Sequence, residues 1–137
     1  MLSHKTKYAL KALLYLAQQK ENHISRTIEI AEAANIPKKF LEQILLDLKR
    51  AGFVSSKQGK FGGYYLLKST SNISVADIYR LFDGPIALLP CASLNFYEPC
   101  SDCKTESECH LRHGLIIIRD ETLKTMQSIT IASLIKK

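Results

Sequence analysis

The chain has 137 residues, 46% of them hydrophobic, with 19 Lys and Arg against 13 Asp and Glu and a formal charge of +6. This length and apolar content exclude a disordered chain and fit one domain of ordinary size, or a small domain with an appendage. The charge is uneven: residues 1–68 hold 12 basic and 5 acidic side chains, net +7, whereas residues 69–137 hold 7 and 8, net −1. A polyanion-binding module joined to a different part is the first expectation. No run approaches the roughly 18 to 20 apolar residues of a membrane span. The apolar run Ala12 to Ala17 is too short for a secretion signal. All four cysteines fall between Cys91 and Cys109, unlike the scattered cysteines of disulfide scaffolds. A cytoplasmic protein whose clustered thiols bind metal or sense redox state is expected.

Leu10, Leu13, Leu14 and Ala17 recur at helical spacing and predict a first helix over about residues 4–20. Ser25 or Thr27 can cap a short second helix that buries Ile30, Ala31 and Ala34. Asn35 can end it in the left-handed conformation, and Pro37 suits the first turn of a third helix running to about Ala51. That helix carries Leu41, Ile44, Leu45 and Leu48 on one face and Lys38, Lys39, Glu42, Gln43 and Leu46 on the other. Gly52 stops it. Phe53 to Ser56 and Tyr64 to Leu67 read as a hairpin whose tip, Lys57 to Gly63, is basic and glycine-rich. Ser74-Val75-Ala76-Asp77 has the form of a capping box opening a helix that buries Val75, Ile78, Leu81 and Phe82, and Asp83-Gly84-Pro85 closes it. A loop without clear period follows, bounded by Pro90 and Glu108. From about Cys109 a long helix resumes, with Leu111, Leu115, Ile118 and Thr122 in one stripe and Ile116, Leu123 and Met126 beside it. An apolar sector this wide predicts packing on its own domain and on a second subunit. Ser128-Ile129-Thr130 breaks the helix before a short tail.

Helix-turn-helix followed by a hairpin is a winged helix, in which the second helix of the pair enters the major groove and the wing follows the backbone or the minor groove. Lys38, Lys39, Glu42 and Gln43 stand where base contacts are made. Gln43 can pair with adenine, Glu42 can accept from the cytosine amine, and Lys38, Lys57 and Lys60 can neutralise phosphates. A solvated helix face and an ordinary hairpin are the alternative, which the +7 half-chain weighs against. Gly59, Gly62 and Gly63 do not form a phosphate cradle, because a strand rather than a helix follows them.

Cys91, Cys100, Cys103 and Cys109 are spaced C-x8-C-x2-C-x5-C. Four thiolates on one loop can satisfy a tetrahedral zinc or an iron–sulfur cluster, whereas no βαβ pattern supports a thioredoxin-like reading of Cys100-x-x-Cys103. Glu98, Asp102, Glu106 and Glu108 against Lys104 make the loop acidic, which favours protonated thiols unless a cation compensates. Cys109 is the exception, at a helix N-terminus that favours an anion. His110 and His113 are further candidate donors, with helix-cap or solvent roles as the alternative. His4 and His23 read as surface residues.

The segments Ser3 to Leu16, Ile36 to Leu48, Gly62-Gly63-Tyr64, Val75 to Ile78 and Asp83-Gly84-Pro85 resemble, in order and over essentially the whole chain, the Rrf2 family of bacterial transcriptional regulators. Its members include an iron–sulfur cluster regulator, a nitric-oxide-sensing repressor and a cysteine-metabolism repressor. The resemblance implies a dimeric winged-helix repressor whose long C-terminal helix makes the dimer and whose Cys-loop cluster, in many members, sets DNA affinity. It places Lys39, Glu42 and Gln43 at contact positions of the recognition helix and Gln58 where the wing often has Arg. Cys103 and Cys109 keep the family's spacing for the last two cluster cysteines. The first departs: that spacing points to Tyr97, so Cys91 or Cys100 takes the role. Arg112 stands where the cluster regulator has a ligand His, and Lys7 where the nitric-oxide sensor has Asp.

The expected fold is mainly α with a small β-hairpin wing. It divides into a winged-helix DNA-binding domain (1–68), a linker helix with a Cys-bearing sensor loop (69–108), and a dimerisation helix with a C-terminal tail (109–137). The expected function is a homodimeric regulator, a repressor by resemblance, that binds double-stranded DNA at a two-fold operator. An iron–sulfur cluster of two or four irons, held by Cys91, Cys100, Cys103 and Cys109, would set its affinity. Zinc-bound or thiol-switch repressors without a cluster, and a winged-helix module for a protein partner, are the alternatives. No catalytic arrangement is visible, and no membrane association is expected.

Overall fold

A computed structural model describes residues 2–136. Three helices come first: α1 (His4–Ala17), α2 (Thr27–Ala34) and α3 (Lys38–Arg50). Strands β1 (Val54–Lys57) and β2 (Gly63–Leu66) pair antiparallel, with Val54 opposite Leu66 and Lys57 opposite Gly63. After them come α4 (Val75–Phe82), α5 (His110–Ser128) and α6 (Ile131–Ile135), with single 3-10 turns at Thr70–Asn72, Pro90–Ala92 and Glu106–Glu108. This is the mainly helical, winged fold expected. Among the described residues, no helix is long and apolar enough to cross a membrane.

Local chemistry sets most boundaries. The Ser3 hydroxyl caps α1 by accepting from the Thr6 N–H. Asn35 ends α2 at φ 55°, and the Ile36 N–H returns to the Ala31 carbonyl. Gly52, at φ 85°, ends α3 in the conformation that a Cβ disfavours. The capping box on α4 is reciprocal, Ser74 with Asp77.

Three details differ from expectation. The α1 stripe that reaches full burial is Thr6, Ala9, Ala12, Leu13 and Leu16, while Leu10, Leu14 and Ala17 flank it half-buried. Leu13 of the expected stripe is fully buried, and the centre of the buried face is shifted toward Ala9, Ala12 and Leu16, with Leu10, Leu14 and Ala17 packed at its edge. Neither Ser25 nor Thr27 caps α2: Arg26 is the N-cap residue without a side-chain bond, and Ser25 pairs with the wing instead. On α4, Leu81 stays exposed and Ala76 is buried in its place.

The core joins α1, α2 and α3 through Leu13, Ile30, Leu41, Ile44, Leu45 and Leu48, and it continues to Ile73, Ile78 and Ile131. Ile131 is fully buried, so the tail after Ile129 is a helix packed on α1. Thr130 and Ser133 cap it reciprocally.

Candidate nucleic-acid interface and cysteine loop

The apolar spacing of α3 turns Leu41, Ile44, Leu45 and Leu48 inward, which leaves Lys38, Lys39, Glu42 and Gln43 together on its exposed face. The Gln43 Nε2 donates to Asp47 Oδ1 at 3.1 Å, and Asp47 also meets the Arg50 guanidinium at 3.7 Å. On the wing, Lys57, Gln58 and Lys60 are all exposed. The Lys49 Nζ donates to Ser56 Oγ at 2.7 Å and so ties α3 to β1. Among the described residues the salt bridges are His23–Glu29, Arg50–Asp47, Arg112–Glu106 and Arg119–Asp120. Lys38, Lys39, Lys57 and Lys60 take part in none of them, so their charges are not neutralised from within. Seven sequence-selected residues therefore occupy two neighbouring elements, the start of α3 and the wing tip.

Two further groups serve this surface and were not selected from sequence. Arg26 Nη2 donates to the Lys60 carbonyl at 2.8 Å, bracing the wing tip from the start of α2. Ser25 and Tyr64 exchange backbone hydrogen bonds at 2.9 and 2.7 Å. The loop carrying Ser25 is in turn held by Glu29, which accepts from the Tyr15 hydroxyl at 2.5 Å and lies 3.0 Å from His23 Nε2. The hydrogen bond to Glu29 pushes the Tyr15 phenol up to about 12. No local pattern marks Arg26, because its partner is 34 residues away.

The cysteines fall into two pairs. Cys91 is buried in the turn Pro90–Ala92, and Cys100 shares with it a cavity of about 200 Å³ lined also by Glu98, Pro99 and Asp102. Cys109 is the N-cap of α5, its sulfur accepting from the Arg112 N–H at 3.4 Å, and Cys103 adjoins it. The Cys100 thiol donates to Asp102 at 2.7 Å, which pushes that thiol up. Burial and then the neighbouring Cys109 do the same to Cys103. The Cys100 shift has the acidic cause expected of this loop, whereas that of Cys103 comes first from burial.

Glu106 is the polar hub of this loop. Its carboxylate accepts from the Tyr97 hydroxyl at 2.7 and 2.6 Å and from the Cys100 N–H at 3.4 Å, and Arg112 Nε stands 4.0 Å away. These partners hold the Glu106 carboxyl low, the Tyr97 hydrogen bond first among them. Arg112 Nε also donates to the Cys91 carbonyl at 3.0 Å, tying the two ends of the loop together. His110 and His113 are exposed, with their rings edge to face at 6.4 Å. Four soft sulfur donors on one loop suit iron or zinc. In this arrangement no three candidate donors converge among the described residues.

A family model described as Rrf2, iron-dependent transcriptional regulator, matches residues 2–137. The chain belongs to the Rrf2 family. It is 42% identical over 138 residues to an rrf2-like HTH-type transcriptional regulator of Rhodobacter capsulatus, a match covering 98% of this chain and 92% of the relative. Its structure is similar to that of CymR, the global cysteine regulator of B. subtilis, with a TM-score of 0.76, 29% identity and 98% and 95% coverage. It is also similar to IscR of T. potens, with a TM-score of 0.76, 25% identity and 99% and 86% coverage. The chain is a transcriptional regulator with a DNA-binding winged helix, and not an enzyme.

In this Rrf2 chain α5 has two unlike faces. Leu115, Ile116, Leu123 and Met126 are half-buried against their own chain, and Arg119 reaches the Ala92 carbonyl at 2.9 Å. Leu111, Ile117 and Ile118 are exposed at 65%, 63% and 48%. An apolar face of this size on a regular helix is unusual in a chain that stays alone in water.

Proposed function

We propose that the chain is a cytoplasmic repressor that binds a two-fold operator as a homodimer, with DNA affinity set by an iron–sulfur cluster in the Cys91–Cys109 loop. The observation that carries the DNA part is the set of un-neutralised cations, Lys38, Lys39, Lys57 and Lys60, on α3 and the wing tip. Lys38, Lys57 and Lys60 face phosphates. Lys39, Glu42, Gln43 and Gln58 face base edges, once Gln43 leaves its internal bond to Asp47. Leu111, Ile117 and Ile118 on α5 supply the apolar seam between subunits and so fix the separation of the two recognition helices, which must match the half-site spacing.

Cys91, Cys100, Cys103 and Cys109 are the residues that would hold the cluster, which when bound supplies a redox-sensitive charge. The donor chemistry fits, and the two thiol pairs have to come together to use it. Cys100 must give up its bond to Asp102, and the acidic loop then needs a cation to offset four thiolates. The separation of the thiols into two pairs, which a tetrahedral zinc would also have to bring together, favours one second reading, a thiol-switch repressor without a metal.

Anaerobic purification with iron and acid-labile sulfide analysis separates them. A brown protein containing both supports the cluster, a colourless protein with stoichiometric zinc supports a zinc-bound repressor, and a colourless metal-free protein supports the thiol switch. DNA binding at several salt concentrations tests the rest: a steep negative slope of affinity with salt is expected, and no binding in any metal state would favour a protein-partner module.

A further inference from the structure

We propose that Phe61 is an apolar wedge that the wing inserts into the minor groove, unstacking a base step and bending the operator. The proposal rests on the DNA-binding reading above and goes beyond it in naming an apolar, shape-reading contact. Phe61 is 77% exposed, more than any other large hydrophobic among the described residues. Unlike the exposed leucines and isoleucines of α5, it stands at the extreme tip of the basic hairpin, between Lys60 and Gly62. Its ring lies 5.7 Å from Lys60 Nζ. A phenylalanine held in water at the point of a cationic loop gains by being covered when the loop meets a ligand.

The tip is built in advance. Gly59 takes φ 106°, and the Gly62 N–H donates to the Gly59 carbonyl at 3.0 Å. A Cβ at Gly62 would run into the Lys57 carbonyl, so the turn closes too tightly for any other residue. Arg26 then clamps the Lys60 carbonyl from α2. A tip held on both sides loses little freedom on insertion. Lys60 lies beside the ring and Lys57 closes β1 at the foot of the same turn, and their charges match the phosphates that line a groove about 6 Å wide. Apolar side chains placed there partly unstack base steps and kink the duplex, most easily at pyrimidine–purine steps. Arg26 acts as a positioning residue in this scheme.

The test uses the full-length protein and a duplex that it selects from a random-sequence pool, labelled at both ends so that energy transfer reports bending. Phe61→Ala should fold as wild type, bind about tenfold or more weakly, bend the duplex less and leave the salt dependence of binding unchanged. Phe61→Leu should keep most of the affinity and bend, because an aliphatic side chain also wedges. Lys60→Ala, by contrast, should flatten the salt dependence. Unchanged binding and bending by Phe61→Ala would overturn the proposal. So would weaker binding with bending intact, or weaker binding with the flattened salt dependence of Lys60→Ala. If the wild-type protein selects no duplex at all, the DNA-binding reading itself fails, and that result is distinct from a failure of the wedge.

Discussion

Replacing Ile131 by alanine should destabilise the whole winged helix, although the residue lies 63 positions beyond the Lys68 that closes the basic half. Ile131 is fully buried in the same core as Leu13, Ile30 and Ile78, and its N–H donates to the Ile73 carbonyl at 2.9 Å. The substitution removes three carbon atoms. At about 0.8 kcal/mol for each buried methylene-sized group this is about 2.4 kcal/mol. The cavity left behind adds to it, and the total falls within the roughly 2 to 5 kcal/mol range for such truncations. A value near 3 kcal/mol is a large share of the stability of a chain this size. Urea unfolding followed by circular dichroism measures it. Leu111→Ala in a monomeric background is the control, because Leu111 is 65% exposed and should change little. A loss below about 1 kcal/mol for Ile131→Ala would mean that α6 does not belong to the core, and the reasoning from burial would fail.

Asp83 accepts from the Thr6 hydroxyl at 2.7 Å and the Ser3 N–H at 3.2 Å; burial works against its charge, but these hydrogen bonds win and hold the carboxyl low. Its contribution is therefore complete above the ordinary carboxylate range and lost as pH falls through the depressed value, so urea midpoints should drop below about pH 4, and Asp83→Asn should be less stable at pH 7 by about 1 to 3 kcal/mol with that acid-dependent part removed. Gly63→Ala would drive a Cβ into the Ser25 carbonyl, so hydrogen exchange at Tyr64 should rise and DNA affinity fall while the helical spectrum stays unchanged. Glu42→Gln should alter the sequences selected from a random pool, whereas Lys60→Ala should weaken all of them alike; identical behaviour of the two would refute the division between base and phosphate contacts. Tyr97→Phe removes the hydroxyl that holds Glu106, and faster exchange at the Cys100 N–H is the expected result.

The order of elements is legible in the sequence because each boundary has a local marker. Asn35 and Gly52 end their helices, Ser74 and Asp77 cap α4, and the glycines of the tip force a turn. What stays hidden is non-local. Ser25 looks like a cap and is a strand partner, because Tyr64 of the wing competes for its backbone. The buried face of α1 is set by where its neighbours pack, and there Ala9 and Ala12 are buried more fully than Leu10 and Leu14. Thr130 and Ser133 carry the chemistry of a cap, but a helix of five residues has too little periodicity to register without the core that receives Ile131. At the candidate site, the exposed face of α3 is readable from spacing alone. The brace from Arg26 and the Glu106 hub depend on folded distances.

The backbone also limits how the cysteine loop can affect the recognition helix within one chain. The segment from Val75 to Ser128 contributes Ile78 to the winged-helix core, and its two ends meet at one backbone junction. There the Val75 N–H donates to the Ile129 carbonyl and the Ile131 N–H to the Ile73 carbonyl, both at 2.9 Å. Ser74 and Thr130 pair across this junction. Beyond it, the excursion meets the N-terminal half through the packing of α4 on α1 and the bonds from Asp83 to Ser3 and Thr6. In the proposed sensor, a rearrangement around Cys91 and Cys109 would act on a recognition half anchored at these points, and inside the chain it would turn α5 about this root more readily than bend α3. The DNA-reading surface keeps its shape in such a motion. In the proposed homodimer, what would change is the direction of α5, and with it the placement of a second copy on the Leu111, Ile117 and Ile118 face. A signal carried in this way alters the match to operator spacing rather than the contacts made by each half, so it should change affinity for a two-fold site far more than affinity for an isolated half-site.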